Sequence, residues 1–100
     1  MNNKIEIEIQ HFHGCPNSPV LVERVKEAIK EFENVEYREV IVDSNEKAEE
    51  IKFRGSPTLL INGKDFEDQP EPDKPALMCR YYPYGLPDVI QLKTKLKLLT

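Results

Sequence analysis

Two cysteines, Cys15 and Cys79, are the residues of this chain best suited to covalent chemistry, and they lie 64 positions apart. A thiolate is both a nucleophile and a soft-metal ligand, so each is a candidate for disulfide exchange or metal binding. Cys15 stands in the turn sequence His13-Gly14-Cys15-Pro16-Asn17-Ser18, directly before an apolar helical pattern. A thiol placed there meets free backbone N–H groups and the positive end of a helix dipole, which lower its pKa from about 8.5 toward roughly 3.5–7.5. The flanking Gly14 and Pro16 favour an open thiol over one buried as a small hydrophobe. Ser18 can donate a hydrogen bond to the Cys15 thiolate or cap the helix that follows, and His13 can act as a charge partner of the thiolate. His11, His13 and Cys15 together could ligate a metal, but a polar strand end gives the same pattern, and no metal site is assigned to them. Two cysteines and two histidines at these spacings do not make a standard zinc finger.

Elements on either side must position these groups. Ile5, Ile7 and Ile9 alternate with Glu6, Glu8 and Gln10, the period-2 pattern of a strand running to about Phe12. Leu21, Val25, Ala28, Ile29 and Phe32 recur at helical spacing, with charged residues on the opposite face. Glu36 to Val42 reads as a second strand, so the first three elements form a βαβ unit with parallel strands. Ser44 caps a short helix running to about Lys52. Ser56-Pro57 precedes the apolar strand Thr58-Leu59-Leu60-Ile61, and Asn62-Gly63 predicts a type I′ turn into Lys64-Asp65-Phe66. The acidic, proline-rich stretch 67–75 reads as a solvated loop. Residues 76–85 carry Cys79 and three tyrosines, Tyr81, Tyr82 and Tyr84, which either line a groove or pack the loop onto the sheet. Arg80 can hold a carboxylate in a bidentate pair or stand solvated at the surface. Pro87 opens a last helix with Val89, Leu92, Leu96 and Leu99 on one stripe.

Composition narrows the function classes. The chain has 100 residues, 39% of them hydrophobic and 32% charged, with a formal net charge of -4. A nucleic-acid binder of this size would ordinarily be basic. No apolar run approaches the roughly 20 residues needed to span a bilayer, and no unbroken apolar stretch follows the N-terminus, so a cytoplasmic location is expected. Two cysteines are too few for a disulfide scaffold, and a cytoplasmic chain would ordinarily keep both reduced.

The element order, with Gly14-Cys15-Pro16-Asn17 after the first strand and Ser56-Pro57 before the third, resembles the thioredoxin fold in its minimal, glutaredoxin-sized form. The resemblance covers nearly the whole chain. It implies an α/β fold, a four-stranded mixed sheet flanked by three helices, with residues 1–100 forming one domain. It also implies that Cys15 is the nucleophile, that Pro57 is a cis-proline, and that the Ser56 backbone pairs with an extended substrate. The run of Gly14-Cys15-Pro16-Asn17, Gly55-Ser56-Pro57-Thr58, Asn62-Gly63 and Cys79-Arg80 is similar to a group of small prokaryotic thioredoxin-like proteins, some labelled alkylmercury lyase-like. The departure is Ser18, a hydroxyl where the Cys-x-x-Cys motif has its second thiol, so exchange within the motif is impossible. In this fold the loop before the last helix lies at the same end of the sheet as Cys15. Cys79 is thus a candidate resolving thiol or second soft ligand, and equally a core cysteine under the tyrosines.

The function expected is thiol–disulfide exchange centred on Cys15, possible partners being glutathione, bound in part by Arg80, or a protein thiol. No cofactor, nucleic acid or membrane is expected. The alternatives are monothiol chemistry with glutathione, a soft-metal or organomercurial thiol-binding protein, and a non-catalytic binding module of the same fold.

Overall fold

Ile5, Ile7 and Ile9 are all buried, and the strand they form, β1 (Ile5–His11), is central to the sheet. The structure is a computed structural model describing residues 4–100. After β1 come α1 (Asn17–Ile29), β2 (Val35–Ile41), α2 (Asn45–Ile51), β3 (Thr58–Ile61), β4 (Lys64–Asp65) and α3 (Val89–Leu99). The sheet order is β2-β1-β3-β4. β2 runs parallel to β1, while β3 runs antiparallel to β1 and to β4. This is the four-stranded mixed sheet with three helices expected from the sequence.

Strand alternation divides the core. The isoleucines of β1, with Leu59 and Ile61 of β3, pack against Leu21, Val25 and Ala28 of α1 and Leu92 and Leu96 of α3. A smaller cluster around α2 joins Val42, Ala48 and Phe53 to Phe12 and Ile51, with the Phe12 and Phe53 rings edge to face at 6.3 Å. Ser44 caps α2 by accepting the Lys47 N–H at 3.1 Å. Asn62 and Gly63 both have positive φ, +52° and +80°, as the type I′ turn requires. Among the described residues no helix is long and apolar enough to cross a membrane.

Several boundaries differ from the sequence expectation. α1 begins at Asn17, and no side chain caps it; the Ser18 hydroxyl is used elsewhere. Phe32 lies past the end of α1 yet still packs against the main core. α3 begins at Val89 rather than Pro87, because Asp88 and Gln91 form a reciprocal capping box.

Truncating the central strand should be costly. Ile9 is 0% exposed, so Ile9→Ala is expected to lower stability by about 2–5 kcal/mol in urea unfolding. Ile90, exposed on α3, should change it by about 0.5 kcal/mol or less on the same substitution.

Candidate thiol–disulfide site

Three chain segments converge at one end of the sheet. The first is the turn from β1 into α1, where Cys15 lies two residues ahead of the helix. The second follows α2, where Ser56 leads into β3 through a cis Ser56–Pro57 peptide bond. The third comes from the long connection after β4. Met78, Cys79 and Arg80 cross Ser56 in parallel: the Ser56 N–H donates to the Met78 carbonyl at 2.8 Å, and the Arg80 N–H donates to the Ser56 carbonyl at 2.9 Å. The crossing brings Cys79 to Cys15, and the two are joined in a disulfide with an S–S distance of 2.08 Å and Cα atoms 5.8 Å apart.

Contacts that involve neither sulfur hold the crossing in place. The buried Arg80 guanidinium grips Asp65 of β4 through two hydrogen bonds, 2.7 and 2.9 Å long. Burial pushes the Asp65 carboxyl up, but the hydrogen bonds and charge of Arg80 and the backbone N–H groups of Glu67 and Gln69 outweigh it. The carboxyl is held below its ordinary value. Arg80 also lies over the Tyr82 ring, 4.9 Å from its centroid. Burial pushes the Tyr82 phenol up to about 12, so it stays protonated and donates to the Pro57 carbonyl. Gly55 leaves room for the approach. It has φ +107°, and a Cβ there would sit 2.8 Å from the Arg80 Cβ, so any other residue would strain the backbone and push the crossing segment away.

Ser18 and Ser56 join the first two segments. Both are buried, their hydroxyls are 2.9 Å apart, and the Ser56 hydroxyl accepts the Phe12 N–H at 3.1 Å. Beside them a cleft of about 580 Å³ opens between α1 and β2, with His11, His13, Lys26 and Glu39 in its walls. His11 faces Glu39 across it at 2.9 Å, and His13 is exposed.

Several expectations for individual residues need correction. Cys15 is not an open thiol but is 3% exposed, because the segment that covers it comes from far along the chain. It is also oxidised rather than reduced, paired with Cys79. Ser18 turns to Ser56 instead of capping α1. Arg80 is neither solvated nor open to a substrate carboxylate, because Asp65 occupies its fork. Cys79 is not a core cysteine: it is exposed, as are Tyr81 and Tyr84, and only Tyr82 of the three tyrosines packs down. The backbone of Ser56, expected to pair with a substrate, pairs with the chain's own residues 78–80. Asp65 went unrecognised, since an acid closing a hairpin strand gives no sign of an arginine arriving 15 residues later. Among the described residues no group of three or more His, Cys, Asp or Glu side chains is placed to hold a metal ion.

The family profile for the thioredoxin domain matches residues 4–66. The chain belongs to the thioredoxin-domain family. The matched stretch contains Cys15, Ser18, Ser56, Pro57 and Asp65, whereas Cys79 and Arg80 lie beyond it. No curated protein and no solved structure matches the chain.

The ion pair should dominate local stability. Arg80→Ala removes both of its hydrogen bonds to buried Asp65, leaving the longer 3.7 Å ion pair with Arg54, and is expected to cost about 3–5 kcal/mol in urea unfolding. A depressed carboxyl stabilises the fold above its unfolded pKa, and the contribution disappears as pH falls through the lower folded value. Stability should therefore drop as pH falls below the ordinary carboxylate range, and Asp65→Asn, though less stable at neutral pH, should show a shallower drop there.

Proposed function

We propose that this thioredoxin-domain protein exchanges thiols and disulfides through Cys15 and Cys79 as one redox pair. The observation that carries this reading is the Cys15–Cys79 disulfide itself, located ahead of α1 and beside Ser56 and Pro57. Ser18 occupies the position of the missing motif thiol, and its hydroxyl is engaged by Ser56. Cys79 supplies a second sulfur from outside the motif. In the oxidised protein the pair accepts two electrons from two thiols, such as two glutathiones or two protein cysteines, which leave joined as a disulfide. In the reduced protein the N-terminal dipole of α1 favours the Cys15 thiolate over the thiol. A cytoplasmic thiol pool would then cycle the pair between its two forms.

The same pair supports a second reading, because once reduced it presents two adjacent soft ligands to an ion such as mercuric or cuprous ion. One such ion per chain would protect both cysteines from alkylation, and either Cys→Ser substitution would remove the protection. Failure of both activities would leave a binding module.

The exchange reading makes three linked predictions. Reduced wild type should turn over a small aromatic disulfide in the presence of glutathione, and replacing both Cys15 and Cys79 by serine should abolish turnover. The Cys15 thiolate, followed by its ultraviolet absorbance against pH, should titrate below about 8.5. Closing this loop should make the oxidised protein more stable than the reduced by up to about 4 kcal/mol. A wild type with no turnover and a titration midpoint near 8.5 would remove the case for exchange.

A further inference from the structure

The disulfide is asymmetric in its surroundings. Cys15 is 3% exposed, whereas Cys79 is exposed where the loop crosses Ser56. We infer that Cys79 carries the sulfur that an external thiolate attacks, and that Cys15 departs as the thiolate. This rests on the exchange reading above and inverts the roles that the thioredoxin resemblance implies for the pair.

Access points one way. Displacement at sulfur runs in line, the nucleophile approaching the attacked sulfur from the side opposite the leaving one, so the attacked residue must be open. Leu77, Met78 and Tyr81 around Cys79 are exposed as well. Cys15 borders the cleft between α1 and β2 but presents almost no surface to it.

The leaving group points the same way. Exchange is faster when the departing thiol has the lower pKa. Cys15 sits ahead of the 13-residue α1, whose N-terminal dipole stabilises the charge as it develops. Cys79 lies on a loop with no helix behind it, and the cation beside it in sequence, Arg80, is already paired with Asp65.

In the step itself, RS⁻ forms a bond to Cys79 Sγ as the Cys15–Cys79 bond breaks. The electron pair of that bond leaves on Cys15 Sγ, giving the Cys79–SR mixed disulfide and the Cys15 thiolate. A second thiolate then attacks the RS sulfur, forming RSSR and freeing the Cys79 thiolate. In the opposite direction, the Cys79 thiolate attacks a substrate disulfide and expels one substrate thiolate. Cys15 thiolate then attacks Cys79 Sγ, expels the second, and restores the disulfide.

Mapping the mixed disulfide tests the assignment. Oxidised wild type is mixed with glutathione, quenched in acid at short times, alkylated with a maleimide and digested for mass spectrometry. Glutathione on Cys79 with maleimide on Cys15 should exceed the reverse labelling by about tenfold or more. Cys15→Ser protein, incubated with glutathione disulfide, should accumulate one glutathione on Cys79. Glutathione found mainly on Cys15 of the wild type overturns the assignment and leaves the exchange reading standing, as does a Cys79 that takes up none in Cys15→Ser while the wild type exchanges. A wild-type disulfide that survives excess glutathione, with no mixed disulfide on either cysteine, overturns the exchange reading and this assignment together.

Discussion

The buried ion pair between Arg80 and Asp65 is the interaction on which the site depends. It is a buried, two-hydrogen-bond link between the long connection after β4 and the sheet, and it fixes the residue next to Cys79. A buried guanidinium is tolerated only with a partner of good geometry, and Asp65 offers two oxygens at hydrogen-bond distance. The backbone crossing at Ser56, the close approach at Gly55 and the Tyr82 hydrogen bond to Pro57 all follow from where the pair holds this segment.

A consequence is that the second thiol is supplied by tertiary structure instead of by the turn. In a Cys-x-x-Cys motif the two sulfurs are neighbours by sequence alone. Here Ser18 occupies that place and serves as a strut, its hydroxyl tying α1 to the Ser56 loop. Cys79 is carried to Cys15 by contacts independent of the sulfurs, so reducing the bond removes one link among several. A thiol held in place by such contacts reacts as if at high effective concentration, which is what reversible closure needs.

Much of the fold was legible in local pattern. The alternation of Ile5, Ile7 and Ile9, the helical spacing of Leu21, Val25 and Ala28, the Ser44 cap and the Asn62-Gly63 turn are each decided within a few residues, and each appears in the structure. The capping box of Asp88 and Gln91 is equally local, and it starts α3 at Val89 instead of Pro87. The site was harder to read because its decisive contacts are long-range. Nothing near Cys15 announces that residues 78–80 cover it, and nothing near Arg80 announces Asp65. The proximity of the two cysteines came from the likeness to a fold, and the inward turn of Arg80 had no counterpart there, since the matched family region ends at residue 66.

Polar contacts that involve neither sulfur should hold Cys79 beside Cys15 whether or not the disulfide is closed. Amide hydrogen exchange of Ser56 and Arg80, whose N–H groups make the two crossing hydrogen bonds, measures this most directly in reduced protein. Both amides should stay protected after reduction, at levels close to those of the oxidised protein. Exchange of both at the rate of an unstructured loop once the bond is reduced would contradict it.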